Sequence, residues 1–176
     1  MAPDVTPAPS AALTCDVEVR DDAGLRQFRE LIDLVNMLDV PVTFFVEYLG
    51  GDRGSRRERE KVQAMAEGGR HEIGLHIHWR GAYAGGIQDR PVEAFDAELG
   101  EAMALAEAAG APRPVVFRSG GLCCSTAMIH ALVARGFRVD SSVAPGLNEP
   151  NGWKQGHQRV PHAGWYVPDA GAYARP

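Results

Sequence analysis

The feature that most restricts the fold of this chain is a repeated exchange between two hydrophobic periods. Short apolar or β-branched runs alternate with longer stretches whose apolar residues recur at helical spacing. Ala11 to Cys15 is a short apolar run that reads as a buried strand. Asp21 and Asp22 can cap a helix that places Leu25, Phe28, Leu31, Ile32 and Val35 on one face, and Pro41 follows its end. Val42 to Val46 (VTFFV) is β-branched and aromatic, hence a second strand. Strong helix formers fill Arg53 to Glu67, with Gly68-Gly69 as the stop, and Glu72 to Ile77 reads as a third strand. Pro91 opens a long helix with Phe95, Leu99, Met103 and Ala106 on one face, ended by Gly110. Val115 to Arg118 is a fourth strand. Ser125 can cap a helix through Arg135, with Met128, Ile129, Leu132 and Val133 inward and Gly136 as its stop. Phe137 to Ser141 completes the set as a fifth strand.

Strands separated by helices of this length form βαβ units and a parallel sheet. A dinucleotide-binding fold calls for G-x-G-x-x-G after its first strand and a P-loop for G-x-x-x-x-G-K; neither string occurs. A barrel-like α/β fold with its site at the C-terminal ends of the strands fits better. Residues 1–10, rich in Pro and Ala, read as a loose tail, and residues 11–176 as a single domain. From Val143 to Pro176 the periodicity fades into Pro, Gly and aromatic residues.

The net charge of −5 argues against a nucleic-acid or anionic-membrane surface, which would need a basic patch. The basic run of Arg53, Arg56, Arg57, Arg59 and Lys61 is interleaved with Glu58 and Glu60 and reads as a solvated helix face. No apolar run is long enough to span a bilayer, and the first residues lack the basic and apolar regions of a secretory signal. Cys15, Cys123 and Cys124 are odd in number and two are adjacent, so they make no disulfide framework. Cys123 and Cys124 read as packing residues near a helix start, and a reducing cytoplasm is the expected compartment.

Polar residues gather where a parallel α/β fold builds its sites. Asp16 and Glu18 follow the first strand, His76 and His78 end the third, Arg118 ends the fourth and Asp140 the fifth. Residues two apart on an extended chain point the same way, so Asp16 pairs with Glu18 and His76 with His78. Imidazole nitrogen and carboxylate oxygen together suit zinc or a similar divalent ion. Three of the four as ligands leave a position for water, whose pKa a metal can lower from ~15.7 to about 7, with the fourth group as base. Plainer readings stand beside these. Asp16 or Glu18 can cap the next helix, Arg118 can be a surface ion-pair partner, and Asp140 before Ser141 and Ser142 can shape an Asx turn. His71, five positions before His76, points to the other face and reads as structural.

In order along the chain, LTCDVE, PVTFFV, GRHEIGLHIHW, FRSGG and GFRVDSS resemble the motifs of the polysaccharide deacetylase family, the NodB-homology domains of carbohydrate esterase family 4, from about Leu13 to Ser142. The resemblance implies a distorted (β/α) barrel and metal-dependent removal of an N-acetyl group from a sugar. It implies Asp16 as catalytic base, Arg118 as the residue that orients it, and His76 as the first metal-binding histidine. Three departures are visible. The second acid of the family's motif falls at Val17, so Glu18 must serve; the second histidine falls at Arg80, so His78 must serve. The family's late histidine motif has no counterpart, which leaves His162 as the candidate acid, ahead of His157. A barrel lacking its last strands has an open edge, which invites a second copy or another chain.

The expected metal centre is therefore Zn2+ on Glu18, His76 and His78. Trp79, Ser119, Gly120 and Asp140 are the expected substrate contacts, with Trp79 able to stack on a sugar ring, as can Trp153, Trp165 and Tyr166. The expected partner is an N-acetylated sugar or a small amide. The rival readings are an amidohydrolase acting on a non-sugar C–N bond, and a non-catalytic member that binds a glycan or a partner chain.

Overall fold

The computed structural model describes residues 12–49, 52–67, 70–81, 87 and 89–143. Strands and helices alternate as β1 (Leu13–Val17), α1 (Asp22–Met37), β2 (Val42–Val46), α2 (Asp52–Glu67), β3 (Glu72–Ile77), α3 (Val92–Ala108), β4 (Val116–Ser119), a 3-10 turn (Gly120–Leu122), α4 (Thr126–Ala134) and β5 (Val139–Asp140). Local chemistry explains the boundaries. The Asp21 carboxylate accepts from the Gly24 N–H at 2.7 Å and starts α1. The Ser125 hydroxyl accepts from the Met128 N–H at 3.2 Å and starts α4. Gly110 and Gly136, both at positive φ, follow the ends of α3 and α4.

The five strands are parallel and lie in the order β1-β2-β3-β4-β5. A doubly wound sheet would reverse its order and put helices on both faces. Here every crossover steps the same way, so a uniform right-handed connection places the helices on one face only. That is the wall of a (β/α) barrel, and among the described residues it is open, with β1 and β5 as edges.

The two faces of the wall differ in chemistry. On the helix side, Phe44 meets Phe28 of α1 edge-on, ring centres 5.5 Å apart, and Phe117 and Phe95 meet Trp79 at 5.7 and 4.9 Å. Val17, Val46, Leu75 and Met128 fill the same layer. The register sets Asp16, Phe45 and Gly74 side by side on the opposite, inner face, followed one residue pair further along by His76 and Arg118.

Several details differ from the sequence expectation. β1 is shifted two residues from the expected Ala11 to Cys15, to Leu13–Val17, and its later end includes Asp16; β5 is confined to Val139–Asp140. Val133 is 66% exposed, not inward, because α4 packs through Met128, Ala131 and Leu132, which leaves Val133 off the buried face. The charged run on α2 is not wholly solvated. Arg56 and Arg59 face outward, but Lys61 and Glu58 are buried, at 0% and 2% exposure. Cys123 and Cys124 are buried just before α4, as expected of packing residues, and none of the three cysteines is in a disulfide.

Gly74 is required by space. A Cβ there would lie 2.6 Å from Val116 Cγ2 and 2.9 Å from Phe45 Cδ1. Gly74→Ala overpacks the inner face and should lower stability by about 1–3 kcal/mol in urea unfolding.

Candidate metal centre

His76 is the best-fixed member of the site. Its ring is buried, and Nδ1 lies 2.9 Å from the Arg118 backbone carbonyl. A carbonyl can only accept, so Nδ1 carries the proton. In the neutral ring Nε2 then presents a lone pair, and it does so 3.2 Å from Glu18 Oε1. His78 brings its own Nε2 to within 2.8 Å of the same oxygen. Two imidazoles aimed at one carboxylate oxygen need protons on both Nε2 atoms, or a cation shared among the three groups. The three ligand atoms lie within 4.8 Å of one another, and two imidazole nitrogens with one carboxylate oxygen suit a divalent ion such as zinc. The residues therefore fit a metal. Burial pushes the Glu18 carboxyl up, but hydrogen bonds and charge from His78 and His76 outweigh it and hold the group below its ordinary range.

Beside this triad, Arg118 holds Asp16. One guanidinium nitrogen donates to Asp16 Oδ1 at 2.8 Å. Another donates to Thr14 Oγ1 at 3.0 Å and Ser141 Oγ at 2.7 Å, and Nε donates to the Ser141 carbonyl at 3.3 Å. The guanidinium carbon lies 4.3 Å from the centre of the Phe45 ring, which carries it across β2 toward β1. A guanidinium held at this many points has little freedom left, and it orients the Asp16 carboxylate, which remains partly in solvent.

Arg80, four positions after His76, turns out of the site: its guanidinium pairs with Glu101, and its N–H donates to Glu98 Oε2 at 3.1 Å. His78 takes the place beside His76 instead, and Gly120 makes room for it. A Cβ on Gly120 would lie 2.4 Å from His78 Nδ1 and 2.5 Å from Cγ. Gly120 thus acts on His78, where direct substrate contact was expected.

The other expected substrate contacts move to the helix side. Trp79 is 2% exposed, and its indole N–H donates to Ser119 Oγ at 2.8 Å, so both side chains are core. Their odd register relative to His76 and His78 puts them on the far face. Asp140 pairs in register with the core residue Phe117, accepts from the Ser142 N–H at 3.1 Å and lies 3.9 Å from Cys124 Sγ. It is the Asx-turn residue of the alternative reading. Burial pushes its carboxyl up to about 6, against the lowering effect of Ser142 and Arg118. His71 is structural: its Nδ1 accepts from the Val42 N–H at 3.3 Å, and Nε2 lies 2.9 Å from Asn36 Oδ1. His162, His157, Trp153, Trp165 and Tyr166 lie outside the described residues. Thr14 and Ser141 were not singled out in the sequence; Thr14 shares the parity of Asp16, which was its only signal.

No family model and no curated protein matches the sequence. Solved structures do match the fold. A family 4 carbohydrate esterase from Streptomyces lividans, in complex with acetate, superposes with a TM-score of 0.56 at 15% identity, over 73% of this chain and 59% of its own. A family 4 pseudoenzyme from Bacillus anthracis gives 0.57 at 15%, over 73% and 41%. A proposed polysaccharide deacetylase from Mycobacterium smegmatis gives 0.54 at 23%, over 75% and 50%. This chain thus spans about half the length of these structures. The fold is that of the NodB-type polysaccharide deacetylases, a (β/α) barrel open in its described part.

Two measurements check this geometry. Gly120→Ala should leave the far-UV circular dichroism unchanged while displacing His78, and zinc affinity by chelator competition should fall at least about tenfold. Asp140 titrates higher folded than unfolded, where its ordinary value is 3.8, so ionising it costs folding free energy. Stability should therefore fall as pH rises from about 4 to about 6, by up to about 3 kcal/mol. Asp140→Asn should remove that slope in unfolding titrations across the same window.

Proposed function

We propose that this chain is a metal-dependent hydrolase that removes an N-acetyl group from a sugar or glycan intermediate. One observation carries the reading: a carboxylate–histidine–histidine triad lies on the same inner barrel face as a carboxylate held by arginine. The fold shared with family 4 esterases supports it.

Glu18, His76 and His78 would hold the ion, and zinc suits that donor set. When bound, such an ion supplies an acidified water and polarises the amide carbonyl. Asp16 accepts the proton of the attacking water, because Arg118 fixes the orientation of its carboxylate. The Arg118 carbonyl keeps the His76 proton on Nδ1 and leaves Nε2 as the ligand atom. As water oxygen bonds to the carbonyl carbon, the C–N bond breaks and acetate leaves. The amine departs with a proton, for which His162 is the candidate donor. Cysteines outside any disulfide fit a reducing cytoplasm, where a soluble or lipid-linked sugar intermediate is the substrate class we favour.

A binding member without turnover is the second reading. It is favoured by the Val17 and Arg80 departures and by the same fold in a pseudoenzyme. An amidohydrolase acting on a small non-sugar C–N bond would use the same groups. Acetate release from N-acetyl sugars, run beside cyclic ureides and formamides, separates the substrates.

His76→Ala should abolish both stoichiometric zinc and turnover. Asp16→Asn should keep the zinc and lower kcat by about 10²–10⁴. Metal analysis and acetate release on the same preparations check both. Full metal and activity in His76→Ala would overturn the mechanism.

A further inference from the structure

The metal centre leaves one buried charged pair without a role. Lys61 and Glu58 sit one helical turn apart on α2, at 0% and 2% exposure, with Lys61 Nζ 2.5 Å from Glu58 Oε2. Burial drives the Lys61 amine down and the Glu58 carboxyl up from their ordinary values. Such a pair is a poor stabilising device, because desolvation of both charges offsets their attraction, and apolar residues of like volume serve stability as well or better.

Lys61 does something an apolar residue cannot. Its Nζ donates to the Glu47 backbone carbonyl at 2.7 Å, just past the C-terminal end of β2. Glu47 in turn holds the end of β1 and the segment that follows it. Its N–H donates to the Val17 carbonyl at 3.2 Å, the residue between Asp16 and Glu18. Its carboxylate, largely shielded from solvent, pairs with Arg20 at 2.7 Å, and Arg20 reaches Glu18 Oε2 at 3.7 Å. One residue thus contacts the chain before and after Glu18, at Val17 and at Arg20, and Lys61 holds its carbonyl. The Tyr48 ring, 5.6 Å from Lys61 Nζ, covers the amine.

We propose that the buried Lys61–Glu58 pair positions Glu18 for metal binding by locking Glu47. Lys61 and Glu47 are positioning residues and touch neither metal nor substrate. The proposal rests on the metal-centre reading above.

The test is zinc affinity of the full chain by chelator competition, with thermal unfolding of the metal-free protein as the control. Lys61→Met/Glu58→Met removes both charges together, so no orphan remains. It should unfold at the same temperature or higher, yet bind zinc about ten- to a hundredfold more weakly. Combined with Glu47→Gln, the losses should be less than multiplicative, because both act through one residue. Lys61→Gln keeps a donor for Glu58 but is too short for the Glu47 carbonyl, and should also weaken zinc; it stands in if the double variant fails to fold. Lys61→Arg should restore affinity. Wild-type zinc affinity in either folded variant overturns the positioning role and leaves the metal centre intact. A wild-type chain that takes up no zinc overturns both.

Discussion

The guanidinium of Arg118 crosses the ring of Phe45 and reaches Asp16 and Thr14 on β1, while the carbonyl of the same residue accepts a hydrogen bond from His76 Nδ1. One residue of β4 therefore sets the orientation of the carboxylate and the tautomer of the buried histidine. The carboxylate and the histidine stand on different strands, and neither interaction is local in sequence. Their geometry depends on how far the sheet curves between β1 and β4. Ser141, beyond β5, holds the guanidinium from the other side, so the arginine ties one edge strand of the wall to the other.

Space, as much as charge, decides which groups meet. Gly74 lets Phe45 and Val116 close over β3, which gives Arg118 its apolar floor. Gly120 gives up a side chain so that the His78 ring can occupy the volume beside β4. With Arg80 drawn outward to Glu101 and Glu98, the second histidine sits two residues after the first instead of four. His78, one residue past the end of β3, still follows the strand alternation and keeps its ring on the inner face, whereas Arg80 lies in a turn. The histidine spacing and Gly120 are thus one structural solution, and neither makes sense without the other.

The fold alone does not decide activity. A family 4 esterase and a family 4 pseudoenzyme superpose on this chain about equally well. The proposed chemistry rests instead on the donor set: two imidazoles and a carboxylate converge, and a second carboxylate is independently anchored to arginine.

The strand–helix order, the parallel sheet and the facing of Asp16 with Glu18 and of His76 with His78 were all legible in the sequence, because period and parity are local properties of the backbone. The family motifs carried the fold further, to the barrel wall that the solved structures share. Parity could equally have excluded Trp79 and Ser119, which alternate with the inner-face residues. The burial of Lys61 and Glu58 inside a charged run was not legible, since a run of charges looks the same whether one flank is covered or not. Nor was the reach of Arg118 to Thr14 and Ser141, or the fit of Gly120 beneath His78. These depend on distances between strands far apart in sequence, and only the packing of the folded wall sets those distances.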